Sequence, residues 1–181
     1  RWVDQELLAS VAHQVPEASF VLIGPLQTEV SRLADQPNIR LLGAKAHTDV
    51  PRYIKEFDIG IVPYSLSDYT THVYPTKLNE YLAMGIPVVA TELPEIRRFN
   101  AEYGAVVAIA RGAPEFASAI RAALSDNAPE TIGRRIEVSK QNGWETRIDR
   151  MSALIEQELA ARCNVGEQWP EVLRRVYQTT R

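Results

Sequence analysis

Apolar residues along this chain follow two alternating rhythms. Ser19-Phe20-Val21-Leu22-Ile23-Gly24, Ile39-Arg40-Leu41-Leu42-Gly43, Asp58-Ile59-Gly60-Ile61-Val62-Pro63 and Ile86-Pro87-Val88-Val89-Ala90-Thr91 are compact runs rich in β-branched residues, and they read as buried strands. Ala105-Val106-Val107-Ala108-Ile109 is a last, weaker one. Between them, apolar positions recur every three or four residues, as on the inner face of a helix. Asp4 stands where it caps a helix carrying Leu7, Leu8, Val11 and Ala12 to about Val15, ended by Pro16. Residues 28–33 predict a short helix. Thr48 or Asp49 caps the next, with Pro51 early in it and Tyr53, Ile54 and Phe57 facing inward. Pro94-Glu95-Ile96 begins a short helical turn, and 113–124 is a helix with Phe116, Ile120 and Leu124 inward. Helices at 130–140, 145–161 and 167–177 then follow without strands, with Asn164-Val165-Gly166 as a break. Strand–helix units in this order predict an α/β fold with a doubly wound, Rossmann-like parallel sheet. Its ligands sit outside the carboxyl ends of the strands, where the loops after Gly24, Gly43, Pro63 and Thr91 open.

The stretch Tyr74 to Thr91 is the one that reads as aimed at a ligand. Pro75 suits a first helical position, Leu78, Tyr81 and Leu82 form an apolar stripe, and Gly85 supplies a left-handed exit, which makes a helix of about ten residues. The first amides of a helix have no internal partner and carry partial positive charge, so those of Thr76 and Lys77 suit an anion such as phosphate. Lys77 either shares that place with a negative ligand or is simply solvated. Glu80 lies one turn after Thr76 on the same side. Its carboxylate only accepts hydrogen bonds and matches two adjacent hydroxyls, as on a ribose; the alternative is an ordinary surface glutamate.

Composition narrows the classes. With 181 residues, the chain is long enough for one domain with a substantial core, and 45% apolar, 24% charged and 8% aromatic residues describe an ordinary soluble α/β protein. A formal charge of −3 speaks against nucleic acid as a partner. Cys163 is the single cysteine, which removes disulfide frameworks and cysteine metal sites and fits a reducing, cytoplasmic compartment. No apolar run approaches the ~20 residues of a membrane span, and no signal-peptide pattern opens the chain. The abrupt beginning at Arg1-Trp2-Val3-Asp4 reads as that of a fragment. His13 and His47 lack carboxylates or cysteines at ligand spacing, so no metal is expected. Phosphate-binding P-loops, dinucleotide glycine fingerprints and serine nucleophile elbows are absent.

The segment P-T-K-L-N-E-Y-L-A-M-G-I-P-V-V-A-T resembles the donor-binding helix of family 4-type retaining nucleotide-sugar glycosyltransferases of the GT-B fold. On that resemblance Glu80 matches the family's second glutamate, which binds the ribose hydroxyls. His72 occupies the place of the first, near the donor sugar, a departure that puts the handling of the transferred sugar in doubt. Gly43-Ala44-Lys45-Ala46 resembles the loop that meets the nucleotide base, although Lys45 itself reads rather as a solvated lysine. The polar loop S-L-S-D-Y-T-T places Asp68 and Thr71 near sugar hydroxyls, and Glu95 matches a proline–glutamate turn whose role is capping.

The resemblance further implies transfer of a sugar from a UDP- or GDP-sugar donor to an acceptor glycan or lipid-linked sugar, with no metal and no separate cofactor, in bacterial surface polysaccharide or glycoconjugate synthesis. It implies a first strand and a glycine loop just ahead of Arg1. Residues 1–163 would form the nucleotide-sugar-binding domain. Residues 164–181 would form a helix with Val172, Leu173, Val176 and Tyr177 on one face and Arg174 and Arg175 beside them, crossing to an N-terminal acceptor domain of about 180 residues. That helix could instead dimerise or touch the inner face of a membrane peripherally. Without the acceptor domain the chain is expected to be inactive. Two other readings stay open. One is a non-catalytic or degenerate nucleotide-sugar-binding module, in which His72 marks lost chemistry. The other is another GT-B enzyme, an epimerase or phosphorylase, although no pattern designates a lysine for pyridoxal phosphate.

Overall fold

Asp4 caps as its position predicts: its Oδ1 accepts the Leu7 amide at 2.9 Å and opens α1 (Gln5–Gln14), which buries Leu8, Val11 and Ala12. A computed structural model describes residues 2–163 and divides the chain into two units, Arg1–Lys140 and Gln141–Arg181. In the first unit α1 is followed by β1 (Phe20–Leu22), α2 (Ser31–Ala34), β2 (Ile39–Leu41), α3 (Val50–Ile54) and β3 (Gly60–Val62). A 3-10 turn (Thr70–His72), α4 (Lys77–Ala83), β4 (Val88–Thr91), α5 (Pro94–Tyr103), β5 (Val107–Ala110), α6 (Gly112–Leu124) and α7 (Pro129–Gln141) complete it. The second unit contains α8 (Trp144–Cys163), on which Trp144, Ile148, Met151, Leu154 and Ile155 are exposed. The helix expected at 167–177, with Val172, Leu173, Arg174, Arg175, Val176 and Tyr177, lies outside the described residues.

Among the described residues every strand-to-strand pairing is parallel, as the alternation of elements demands, and the isolated Val3–Tyr64 bridge is antiparallel. β1 pairs β2 with Phe20 opposite Ile39, and β4 lies between β3 and β5 with Val88 opposite Gly60 and Val107. Side chains alternate across the second sheet. Val88 and Ala90 pack with Leu78 and Leu82 of α4 and Ile96 and Phe99 of α5, whereas Val89 packs on the other face with Leu8 of α1 and Phe116 and Ile120 of α6. The result is three layers, helix–sheet–helix. The α/β parallel class holds, but the described strands form two sheets, β1-β2 and β3-β4-β5, where one sheet was expected.

Six local expectations are corrected. Leu124 of α6 is exposed, not inward, and Asp49 stands at the N-cap of α3 without a side-chain cap bond. The central helix begins at Lys77 and has seven residues, not about ten from Pro75. Leu78 and Asn79 donate their amides to the carbonyls of Pro75 and Thr76 at 2.9 and 3.2 Å, so Pro75 opens a tight three-residue turn that precedes the α-helical ladder. Helix α2 is a single turn from Ser31, because Thr28 and Glu29 serve instead as acceptors for the Gln5 side chain. Beyond Pro94 there is a full ten-residue helix, α5, which seats Ile96 and Phe99 in the core. Residues 70–72 are helical where a plain loop was expected, because the buried Thr70 hydroxyl bonds back to Ser65 and Ser67. Gly85 has φ +73°, the left-handed exit expected of it. Among the described residues no helix is long and apolar enough to cross a membrane.

Candidate functional site

The carboxyl edge of β3 and β4 is held by short polar bonds. Thr91, the last residue of β4, donates its hydroxyl to the Tyr64 carbonyl at 2.8 Å and to that of Val62 at 3.3 Å, tying the exits of the two strands together. In the loop that follows β3, Thr70 Oγ1 donates to the Ser65 carbonyl at 2.5 Å, and the Ser67 amide donates to Thr70 Oγ1 at 2.9 Å. Thr71 donates its hydroxyl to the Ser67 carbonyl at 2.7 Å, so its proton is used within the loop and only its lone pairs remain for a ligand. His72 closes the turn and is exposed, as is Asp68.

Pro75 is buried, whereas Thr76 and Lys77 are exposed, and neither of their amides has a backbone acceptor among the described residues. Thr76 stands at the N-cap position without a side-chain cap bond. Lys77 Nζ donates to both carboxylate oxygens of Glu80, at 2.9 and 3.0 Å, with the two side chains 46% and 35% exposed. Glu80 therefore meets Lys77 one turn back, not Thr76. Seven residues align few peptide dipoles, so positive charge at this opening rests mainly on the Lys77 ammonium.

The helix is seated by an aromatic ring. A Cβ on Gly60 would lie 2.4 Å from the ring of Tyr81, so only glycine lets α4 approach β3 this closely. Burial pushes the Tyr81 phenol up to about 12, with the negative charge of Glu80 adding to it. Burial likewise raises Tyr64, again with a contribution from Glu80. A phenol raised in the folded state keeps its full stabilising effect below the unfolded value near 10 and loses it as pH rises through 12. The first unit should therefore lose roughly 2–3 kcal/mol between those limits. Chemical denaturation at stepped pH would read the loss, and Tyr81→Phe should flatten most of it.

Ala44 and Lys45 lie on the carboxyl edge of the other sheet. Gly43, at φ +67°, accepts the Gly24 amide at 3.0 Å and joins the exits of β1 and β2; Ala44 and Lys45 beyond it are exposed. Lys45 Nζ stands 5.8 Å from the centre of the Tyr53 ring, a cation–π contact. The sites anticipated from the sequence thus fall into two groups: Thr71, His72, Pro75, Thr76, Lys77 and Glu80 in one continuous segment, and Ala44 and Lys45 on the neighbouring sheet. Glu95 pairs with Arg98 at 2.7 Å and provides no cap to α5.

One charged group at this edge went unrecognised in the sequence. Glu92, directly after β4, receives Arg111 Nε and Nη2 at 2.5 and 2.6 Å and has Arg97 at 3.4 Å. The Arg111 hydrogen bonds hold the Glu92 carboxyl below the usual carboxylate range, and Arg111 is raised in return. Nothing in the spacing of Glu92 and Arg111 signals their meeting; only their shared position after adjacent strands does. Trp2, Tyr64 and Tyr69 form an aromatic group beside the same loop, with Trp2 centred 6.0 Å from Tyr64 and 5.8 Å from Tyr69. Among the described residues no cluster of His, Cys, Asp or Glu side chains is arranged to hold a metal ion.

A family model described as "Glycosyl transferases group 1" matches residues 1–126, which include every site residue discussed above. The chain is 33% identical over 147 residues to "Putative teichuronic acid biosynthesis glycosyltransferase TuaH" of Bacillus subtilis (strain 168). The match covers 78% of this chain and 37% of that relative, so the chain spans little more than a third of the relative's length.

Proposed function

Because the chain belongs to the group 1 glycosyltransferases, we propose that it is the donor-binding part of an enzyme that transfers a sugar, with retention, from a UDP- or GDP-sugar to an acceptor hydroxyl in polysaccharide biosynthesis. The observation that carries this reading is the Lys77–Glu80 pair at the carboxyl edge. A nucleoside diphosphate presents two chemistries side by side: a vicinal diol that donates hydrogen bonds and a diphosphate that needs cations. Glu80 offers two acceptor oxygens to the first, and Lys77 offers its ammonium to the second. When the leaving diphosphate gains charge in the transition state, Lys77 and the amides of Thr76 and Lys77 stabilise it. His72 and Thr71 stand next in the same segment and would face the sugar; Ala44 and Lys45 would meet the base. The donor is a substrate, and no separate cofactor or metal is invoked. The acceptor is a glycan or lipid-linked sugar held by an N-terminal domain of the longer protein, in the cytoplasm at the inner face of the membrane.

Both Glu80 oxygens accept from Lys77 and keep further lone pairs for a diol, so the carboxylate holds the ammonium next to the diphosphate while it meets the hydroxyls. Two variants separate these roles by calorimetry on the longer protein. Glu80→Ala should weaken both UDP (or GDP) and the matching nucleoside by about 1–3 kcal/mol. Lys77→Met should weaken the diphosphate about tenfold, the loss of one charge-assisted bond. The same change should leave nucleoside binding unchanged or slightly tighter, because an exposed pair holds Glu80 by only about 0.2–1 kcal/mol. Unaltered affinities in Glu80→Ala would return this residue to the surface class. Binding without turnover of any sugar donor would favour the non-catalytic module.

A further inference from the structure

Trp2, Leu66 and Tyr69 are large apolar side chains that stay exposed beside the carboxyl end of β3. A single exposed apolar residue needs no explanation, whereas rings grouped next to a candidate site mark a surface that meets something. Both rings are held in place. The Ser65 amide donates to the Trp2 carbonyl at 2.8 Å, the Asp4 amide donates to Pro63 at 2.8 Å, and Val3 bridges Tyr64, which fastens the backbone at Trp2 along the exit of β3. Tyr69 sits on a loop closed by its own bonds. Ser67 Oγ accepts the Thr70 amide at 3.2 Å, and the Ser67 carbonyl accepts the Thr71 amide at 2.9 Å. A ligand that meets these rings does not have to order them first.

The chemistry around the rings narrows what that ligand is. Trp2 and Tyr69 are tilted by 41° with centres 5.8 Å apart, so they do not stack face to face and ring surface remains open. Exposed Asp68 and His72 flank Tyr69 in the same loop, and Thr71 has lone pairs to offer. This mixture fits a sugar. The faces of a sugar ring carry C–H groups polarised by neighbouring oxygens, and the negative face of an aromatic ring attracts them. Its hydroxyls project around the rim, where Asp68, Thr71 and His72 supply hydrogen-bond partners. A protein partner would call for an apolar centre inside a polar rim. Here Leu66 and Tyr69 instead alternate with Ser67, Asp68 and Thr71 within one loop.

We propose that Trp2 and Tyr69 form a stacking platform for the sugar ring of the donor, holding it by its C–H face. This deepens the donor-site reading above and rests on it. Two connections select the sugar of the donor over that of the acceptor. Tyr69 directly precedes the 3-10 turn whose Thr71 and His72 are proposed to face the transferred sugar. Trp2 meets Tyr64 edge to face at 6.0 Å, and the Tyr64 phenol is raised by burial and also by the charge of Glu80, so these two groups are neighbours. The platform therefore adjoins both groups proposed to meet the donor, Glu80 at the ribose and the 70–72 turn at the sugar.

Calorimetry on the longer protein tests this, with UDP, UDP-glucose, UDP-N-acetylglucosamine, GDP and GDP-mannose as probes. Tyr69→Ala should weaken the tightest-binding nucleotide sugar about 3- to 10-fold, the worth of one aromatic contact, and leave the matching nucleoside diphosphate unchanged. Trp2→Leu should act likewise and Trp2→Phe should not, because a ring face is needed and not apolar bulk. Leu66→Ala, in the same loop and 65% exposed against 63% for Tyr69, should alter neither ligand. A second measurement needs no nucleotide: saturation transfer from aromatic protons to methyl α-D-glucopyranoside or methyl α-D-mannopyranoside should label the ring C–H groups and vanish in Tyr69→Ala. Unchanged nucleotide-sugar affinity in Tyr69→Ala would overturn the inference and leave the rings to the acceptor or to a docked protein. So would an equal loss for the nucleoside diphosphate, an equal loss in Leu66→Ala, or labelling that is absent or indifferent to the change. The donor-site reading fails on a different result, unaltered nucleoside diphosphate binding in Glu80→Ala.

Discussion

Gly60→Val should destabilise the first unit by about 3 kcal/mol, the upper end of what overpacking a core costs. The added Cβ would meet the Tyr81 ring at 2.4 Å, and the partner atoms belong to a rigid ring, not to the end of a flexible chain. Tyr81 is half-buried between Val62 and Leu78 of the second core and cannot turn aside without moving α4. Because Lys77 and Glu80 ride on that helix, the nucleotide binding proposed for them should fall with stability. Urea unfolding gives the first quantity and calorimetry the second. Pairing Gly60→Ala with Tyr81→Ala should cost less than the sum of the two single changes, since removing the ring removes the clash. Strict additivity would mean that the close approach is not what fixes α4.

Arg135→Ala is the other large effect expected, about 3–4 kcal/mol by denaturant unfolding. The guanidinium is buried in α7, donates to the Gly85 carbonyl at 3.1 Å and to the Asp126 carbonyl at 2.8 Å, and also bonds the Asp126 carboxylate. Truncation leaves a cavity and strands the Gly85 carbonyl at the exit of α4, while the Asp126 carboxylate, half exposed, returns to water. Arg135→Lys should recover only part of the loss, because one ammonium cannot span all three acceptors. A loss below about 1 kcal/mol would show that water readily replaces the guanidinium.

The sequence made the local elements legible where a single side chain settles them: Asp4 as a cap, Gly85 as a left-handed exit, the buried β-branched runs as strands. It misled where tertiary contacts decide. Arg97-Arg98-Phe99-Asn100 looks too polar to continue a helix, yet Phe99 packs on Tyr74 and Tyr103, and Asn100 exchanges two hydrogen bonds with Val107, which holds α5 for ten residues. Strand neighbours were illegible as well, because an apolar run reports burial and not which edge it meets; the division between β1 and β3 is invisible in Phe20-Val21-Leu22. At the site, helical spacing was enough to place Glu80 near the opening of α4. It did not identify Lys77 as the group Glu80 meets, since Thr76 and Lys77 are both within one turn. Glu92 and Arg111 sit in separate loops and are brought together only by the pairing of β4 with β5.

The placement of Trp2 makes the chain its own optical probe. Trp2 is 42% exposed and meets Tyr64, the phenol that senses Glu80, edge to face. Occupancy of the donor site proposed at Lys77 and Glu80 should therefore quench or shift tryptophan emission without any added dye. Trp2→Phe would subtract that signal and leave the emission of Trp144 and Trp169 as the background to be compared.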